Sequence, residues 1–459
     1  MRNELLFQTS DSELKQRLMD YASVLNKMPV VEVAELLEKL ESDYDRIDVM
    51  SQFPLDRQAL ILADLPVTVQ LSLFNAMSRK AFATIFEQMP TQSQVDFFQF
   101  LSKKAQTEVL PFLSKSVREN ILRLSAYPPD TAGRIMSLDY ASVFETMTCA
   151  EAIAKVRADA PSKKLVYYVY VVNDEQTLLG FVTLKDLIMA DPAQMIADVV
   201  HREFVFAYVD EDREEVAKKI EKYDLIAIPV VNRQMQLLGV VTHDEAIDII
   251  RAEQTEDLEK FMGIAQRDTE LNYLETSSWK HFQKRVSWVV TLAAVGIISG
   301  MIIHHYENAL EKMLILALYM PMVADTGGNV GSQAATVIVR ALALGEFSVR
   351  AWLKVIWKEI KVSSLLALCL GLLAFAKVLF LSWETEIPAE YSLVKVAFVI
   401  SLALSLQVIT ATVIGAALPL VVKAFGGDPA VAASPAITTI VDITGLLIYF
   451  GTASLFFVF

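Results

Sequence analysis

From residue 280 onward the chain carries five apolar stretches, roughly 286–303, 313–341, 352–381, 391–422 and 431–457. Each is long enough to cross about 30 Å of hydrocarbon as a helix, and some have residues to spare for tilt or a break. This part therefore reads as an α-helical membrane domain of five spans. The flanking charges orient it. Lys280, Lys284 and Arg285 precede the first span, and Arg350, Lys354, Lys358 and Lys361 lie between the second and third. Glu384, Glu386 and Glu390 crowd the connection between the third and fourth. Because Lys and Arg collect on the cytoplasmic side, the N-terminal part is expected in the cytoplasm and the C-terminus outside, which an odd number of spans also requires.

Asp442 stands near the middle of the last stretch, Val431 to Phe459, which has no other charged side chain. A carboxylate at the centre of a membrane helix costs about 2.5 to 3.5 kcal/mol on insertion scales, and such residues usually face a water-filled path or an ion. The alternative is an ion pair with a basic side chain on a neighbouring helix, for which Arg340, at the end of its own apolar stretch, is the best candidate.

The two halves differ in charge. Residues 1–279 hold 45 acidic against 29 basic side chains, whereas residues 280–459 hold 10 against 12. A surface so acidic repels nucleic-acid phosphates and concentrates cations, so no nucleic-acid partner is expected. Cys149 and Cys369 lie in different halves and form no disulfide framework or zinc pattern. The first residues, MRNELLFQTSDSELKQ, lack the apolar core of a signal peptide.

Two internal repeats organise the acidic half. An apolar residue followed by Pro or Ser recurs every 12 residues at Phe53-Pro54, Leu65-Pro66, Met77-Ser78, Met89-Pro90, Leu101-Ser102 and Leu113-Ser114. That period fits two turns of helix and a tight connection, with Pro or Ser starting the next helix. Stacked, these units make an all-α superhelix of short helices over about 30–126. Farther on, Val171-Val172-Asn173 recurs as Val230-Val231-Asn232, Leu179-Gly180 as Leu238-Gly239, Thr183 as Thr242 and Asp186 as Glu245, each 59 residues apart. Each copy reads helix, strand, turn, strand, helix. This resembles a tandem α/β pair of CBS modules. In ligand-binding members the run at Gly180, Thr183 and Asp186 contacts a nucleotide, so the resemblance implies Thr183 and Asp186 as candidates for ATP or another adenine nucleotide. The second copy departs from the pattern with Glu245.

An acidic amphipathic helix, THDEAIDIIRAEQTEDLEKFMG, then leads to the membrane. Solvated connecting helices often look like this, but clustered carboxylates next to a membrane also invite a divalent cation. The second span contains Pro321-Met-Val-Ala-Asp325-Thr-Gly327-Gly328-Asn329-Val-Gly331-Ser-Gln333. Glycines this dense allow close backbone approach and interruption of the helical ladder, whose freed carbonyls could face an ion. The fifth span opens with Gly426-Gly427-Asp428-Pro429-Ala430 and continues Ser434-Pro435-Ala436-Ile437-Thr438-Thr439-Ile440-Val441-Asp442.

Taken together, the superhelix, CBS pair, acidic helix and five spans with GGNxGxQ in the second and an intramembrane Asp in the fifth resemble a full-length member of the MgtE family of magnesium channels. The resemblance implies a homodimer in the cell membrane that takes up Mg2+ along its subunit interface. It implies Asp442 as the pore ligand for hydrated Mg2+, with Gly328, Asn329, Gln333, Ser434, Thr438 and Thr439 as pore-lining candidates. It also implies that cytoplasmic Mg2+ closes the pore through a "plug" helix, with Asp212, Glu214, Asp224, Glu245, Asp248, Glu253, Glu256 and Asp257 as regulatory ligands. The implied division is 1–130 superhelix, 131–195 and 196–250 CBS modules, 245–275 plug helix and 280–459 pore domain. Two departures stand out: the superhelix turn at PTQSQVDFFQF offers only Asp96, and Ser434 stands where members often carry Asn or Gly.

Magnesium gives up inner-shell water reluctantly, so a pore can pass it hydrated between carboxylates and amide or backbone oxygens. Competing readings are a secondary transporter that couples divalent cations to protons or Na+ through Asp442, an enzyme, and a pure metal sensor. The membrane half shows no nucleophile–base or His–metal constellation that would favour an enzyme, with His304 and His305 at a span end. Sensing alone needs no mid-membrane carboxylate.

Overall fold

The computed structural model describes residues 11–20, 22–159, 165–265, 276–385, 387–388, 390–432 and 434–457. These form two compact units, Met1–Ala252 and Glu253–Phe459, described separately below.

The first unit opens with the 12-residue repeat. Helices Leu55–Asp64, Val67–Ala76, Arg79–Phe86, Thr91–Phe100, Lys103–Val109 and Lys115–Ser125 start directly after Pro54, Pro66, Ser78, Pro90, Ser102 and Ser114. Proline supplies the fixed φ of a helix entry, and the Ser78 and Ser102 hydroxyls accept from the N–H groups of Ala81 and Ala105 at 3.3 Å. A second signal lies on the same period. The side-chain amides of Gln58, Gln70 and Gln106 donate back to the carbonyls of Phe53, Leu65 and Phe98 at 2.7, 2.7 and 2.8 Å. Gln94 does the same to Phe86 at 2.8 Å. Each glutamine thus satisfies an orphan carbonyl of the preceding helix end. Phe74, Phe82, Phe86 and Phe97 fill the core with ring centroids 5.0 to 6.0 Å apart.

The CBS pair follows. Strands β1 (Tyr140–Phe144), β2 (Leu165–Val172) and β3 (Leu178–Thr183) form one sheet, and β4 (Ala207–Tyr208), β5 (Ala227–Val231) and β6 (Leu237–Thr242) another. In each, the first two strands are parallel and the last two antiparallel. Helices α1 (Cys149–Asp159) and α3 (Arg213–Lys222) cross over between the parallel strands, and α2 (Leu184–Met189) and α4 (His243–Phe261) follow the hairpins. The repeated Val-Val-Asn has a local cause. Asn173 Oδ1 accepts from Glu175 and Thr177 N–H at 3.0 and 2.8 Å, and Asn232 Oδ1 from Gln234 and Gln236 at 3.0 and 2.9 Å, which closes both hairpin turns. The modules are joined symmetrically: Leu178 N–H donates to Met235 O at 2.8 Å, and Leu237 N–H to Gln176 O at 3.0 Å.

The second unit contains α5 (Ser278–Val295), α6 (Ile297–His305), α7 (Leu314–Ala343), α8 (Trp352–Leu381), α9 (Leu393–Ala424) and α10 (Ser434–Phe456). Joined at Gly296, α5 and α6 make the first span; α8, α9 and α10 are likewise long and apolar enough to cross a membrane. Helix α7, the expected second span, has the length at 30 residues but is less apolar, because Asp325, Gly327, Gly328, Asn329 and Gln333 interrupt it. The expected interruption of its ladder does not occur. The helix runs unbroken through all three motif glycines, which serve the other expectation, close approach of neighbours: a Cβ on Gly328 would fall 2.9 Å from Thr438, and one on Gly331 3.2 Å from the Ala411 carbonyl. Helix α9 packs against α7, α8 and α10, with 15 of its 32 residues buried.

Candidate ion pathway

Helix α10 is launched by a capped turn. Asp428 Oδ1 accepts from Ala430 N–H at 2.9 Å and starts a short 3-10 turn, Pro429–Val431. In α10, Ser434, Thr438 and Asp442 recur at intervals of four, so they line one face. In α7, Asp325, Asn329 and Gln333 do the same, and all three are exposed on the single chain. The stripes meet. Ser434 Oγ donates to Ser332 Oγ at 3.0 Å, Ser332 lies 3.4 Å from Thr438 Oγ1, and Gly328 lets Thr438 approach α7. Thr438 and Thr439 hydroxyls bond back to the Ser434 and Pro435 carbonyls at 3.1 and 3.0 Å.

Asp442 is half-buried and forms no hydrogen bond or ion pair among the described residues. The charge within range of it is another carboxylate, Asp325, which Asn329 Nδ2 approaches at 3.4 Å. The alternative pairing with Arg340 is not made. Arg340 lies fifteen residues beyond Asp325 on the same helix, about 22 Å at 1.5 Å per residue. Asp325 belongs to the same sequence motif as Asn329 and Gln333. Its spacing of four from Asn329 was the available signal.

The regulatory candidates are placed less compactly. Asp212 caps α3, accepting from Glu214 N–H at 2.8 Å, while Glu214 pairs with Lys218 at 2.8 Å. Asp224 occupies a left-handed turn position, φ 51°, just after α3. Asp248 faces Arg251 at 3.9 Å on an exposed stretch of α4. Glu245, Glu253 and Asp257 are also on α4, the last two one turn apart. Glu256 Oε1 is 2.7 Å from Lys260 Nζ. Among the described residues, no three His, Cys, Asp or Glu side chains converge as a ligand set for a resident metal. The rest of the expected plug segment, 266–275, lies outside the described residues.

The last turn of α4 belongs to the membrane unit. Lys260 Nζ also meets Asp428 Oδ2 at 2.8 Å, and Phe261 packs against the cluster of Ala335, Ala411, Ile437 and Val441. Gly263 (φ 69°) turns the chain where any Cβ would strike Trp288, and Ala265 N–H donates to Lys284 O at 2.9 Å. Burial lowers the affinity of the Lys260 ammonium for its proton, but hydrogen bonds and charges of Asp428 and Glu256 outweigh that, so its pKa is raised.

In the CBS pair, Thr183 and Asp186 form a reciprocal capping box on α2. Asp186 Oδ2 accepts from Thr183 N–H at 2.9 Å, from its hydroxyl at 2.6 Å and from His201 at 2.9 Å. Burial raises the Asp186 pKa, but the Thr183 and His201 contacts prevail and lower it. Neither residue lines the nearby cavity of about 440 Å³; Gly180 of the same run does, with Tyr168, Tyr170, Phe181, Phe204 and Pro229. Its aromatic walls suit a flat heterocycle.

Residues 320–452 match the MgtE family, described as a divalent cation transporter. Residues 28–130 match the MgtE intracellular N domain, and 132–193 and 196–252 match CBS domains. Magnesium transporter MgtE of Thermus thermophilus is 37% identical over 338 residues, 74% of this chain and 72% of that protein. Magnesium transporter MgtE of Bacillus subtilis is 31% identical over 441 residues, 96% of this chain and 94% of that one. A solved cytosolic domain of the Mg2+ channel MgtE in complex with ATP is 27% identical, covers 52% of this chain and 100% of its own, and superposes with a TM-score of 0.49. The motif pair, the domain order and the identity over almost the whole chain lead to one conclusion: this chain belongs to the MgtE family of divalent cation transporters.

Proposed function

We propose that the protein is a Mg2+-selective channel for magnesium uptake, active as a homodimer in the cell membrane, with the superhelix and CBS pair cytoplasmic and the C-terminus outside. The observation that supports this is a pair of polar stripes, Asp325–Asn329–Gln333 and Ser434–Thr438–Asp442, on two helices packed together in an apolar unit, with Asp325 within charge range of Asp442. Membrane helices do not turn uncompensated carboxylates and amides toward lipid, so the stripes call for water, a cation or a second copy of the chain. Asp442 supplies the charge that attracts the hydrated cation, Asp325 adds to it, and Asn329, Gln333 and the hydroxyls hydrogen-bond the waters it keeps. The family matches support transport chemistry, so no enzymatic role is assigned.

The domain division is 1–130, 131–195, 196–250, 245–275 and 280–459. Regulation by cytoplasmic Mg2+ is assigned to the acidic residues of the second CBS module and α4. Because these side chains do not converge as one ligand set, no individual regulatory ion is placed. The cavity lined by Tyr168, Tyr170, Phe181 and Phe204 is assigned to an adenine nucleotide such as ATP, with Thr183 and Asp186 capping α2 outside its lining. Two nearby mid-membrane carboxylates also suit proton relay, which keeps a coupled carrier as the second reading.

The test is Mg2+ uptake by proteoliposomes carrying the wild-type chain or Asp442→Ala. Flux should vanish in the variant while the dimer stays folded. Undiminished flux would sink the pore assignment, and flux that needs a proton or Na+ gradient would favour the carrier.

A further inference from the structure

Gln407 sits in α9 with no exposed surface, wedged between α7 and α10. Its Nε2 donates to the carbonyl of Val441 at 2.8 Å, and the Thr444 hydroxyl donates to the same carbonyl at 3.0 Å. That carbonyl belongs to the peptide group whose other end is the N–H of Asp442. A peptide group is rigid and planar, so fixing its oxygen fixes the base from which the Asp442 side chain projects.

We infer that Gln407 is a positioning residue of the ion path: its amide grips the Val441–Asp442 peptide group and sets the aim of the Asp442 carboxylate. This rests on the pore reading of Asp442 given above.

Three observations carry it. The first is the room made for the side chain: a Cβ at Gly327 would fall 2.5 Å from Gln407 Nε2, and one at Gly445 2.7 Å from it. Glycines on both flanking helices therefore accommodate this one amide. The second is the amide's orientation, which chemistry decides. Only an N–H can face a carbonyl oxygen, so Oε1 must point the other way. The third is that Oε1 is buried and finds no partner among the described residues. An orphaned acceptor in a membrane interior is unfavourable, and an apolar side chain of the same length would fill the space without it. A residue kept only for packing would not be a glutamine. What glutamine adds over such a residue is the donor to Val441.

The test compares wild-type protein, Gln407→Met, Thr444→Val and Asp442→Ala, all full-length and reconstituted. Methionine keeps the length and loses both the donor and the orphaned acceptor. Its thermal midpoint in detergent should equal or exceed the wild type, while the Mg2+ concentration for half-maximal flux rises about tenfold and discrimination against Co2+ falls. Thr444→Val, which removes the second donor at nearly constant shape, should shift half-saturation the same way by a smaller factor and keeps the test alive if the methionine variant does not assemble. The inference is overturned if both variants keep wild-type half-saturation and discrimination. It is equally overturned if Gln407→Met lowers the thermal midpoint and scales down all fluxes at unchanged half-saturation, the mark of packing alone. Asp442→Ala separates this from the pore reading: if it conducts normally, the pore reading itself is wrong, whereas if it is inactive and Gln407→Met behaves as wild type, only the positioning role falls.

Discussion

Lys260 Nζ lies 2.8 Å from Asp428 Oδ2, joining the last turn of the acidic helix α4 to the capped turn that launches the Asp442-bearing helix α10. Asp428 holds both ends of this relationship, since its other oxygen caps the turn at Ala430. Breaking the ion pair should loosen the coupling between α4 and α10 without unfolding either. Lys260→Met is expected to raise the internal Mg2+ needed for half-inhibition of flux by about tenfold, equivalent to about 1.4 kcal/mol of gating free energy. The swap Lys260→Asp with Asp428→Lys should recover part of the loss, read as a double-mutant cycle on the same inhibition curve. Equal inhibition in wild type and Lys260→Met would remove the pair from the gate.

The raised Lys260 pKa gives this contact a definite pH dependence. A lysine whose folded pKa lies above its ordinary 10.5 contributes stability that is fully present below that value and is lost as pH rises through the folded pKa. From pH 6 to 9 the clasp should therefore be indifferent to pH. Inhibition curves collected across that range should keep their dependence on Lys260, and a loss of that dependence near neutrality would contradict the assignment.

Thr183 and Asp186 test a different ambiguity, since G-x-x-T-x-x-D reads both as a nucleotide contact and as a helix start. Their hydrogen bonds are spent on each other and on His201, so Thr183→Val should destabilise the CBS pair by about 1 kcal/mol, the usual worth of a cap. Tyr168→Ala, in the cavity wall, should instead weaken ATP binding measured by calorimetry and leave the thermal midpoint closer to wild type. Because the Asp186 pKa is lowered, its contribution is present above the ordinary 3.8 and disappears as pH falls through the folded value, so the difference between wild type and Asp186→Asn should vanish in strong acid.

How much of this was legible in the sequence follows from how local each signal is. The short helices could be read because Pro and Ser mark every entry, and the CBS hairpins because Asn173 and Asn232 close their own turns. The glutamines at 58, 70, 94 and 106 sat on the same period unread, since a polar residue in an amphipathic helix looks solvated until its target carbonyl is known. Glycines in α7 fit both close approach and a broken ladder, because sequence cannot distinguish a glycine that breaks a ladder from one that admits a neighbour. Asp442 stood out by its isolation in an apolar stretch, whereas Asp325 and Gln407 gain their meaning from helices that pack beside them through the fold.

The acidic helix carries a separate expectation. Changing Asp248, Glu253, Glu256 and Asp257 together to Asn or Gln should leave flux high at millimolar internal Mg2+, because the side chains that would attract the cation no longer carry charge. Glu256 complicates this, as its loss also takes one carboxylate from Lys260. The triple variant that keeps Glu256 isolates the cation effect. Ordinary inhibition in both variants would move the sensor elsewhere.

The superhelix should contribute little to that sensing. Several of its carboxylates are compensated internally: Asp45 and Asp48 meet Lys15 at 2.6 and 2.8 Å, Asp43 meets Arg46 at 2.6 Å, and Glu108 meets Arg79 at 3.3 Å. Deleting residues 30–126 would be a poor test, because one continuous apolar core runs from Leu37 and Phe74 to Val216 and Ile228 of the second CBS module, and removing half of it would expose the rest. Neutralising Glu32, Glu35 and Glu38 to Gln and Asp96 to Asn keeps the core intact. A cation that binds the closed state shifts the gate only by its differential affinity, so this variant should move the half-inhibitory Mg2+ concentration by less than about tenfold. A rise of two orders of magnitude in the same flux assay would make the superhelix a principal sensor.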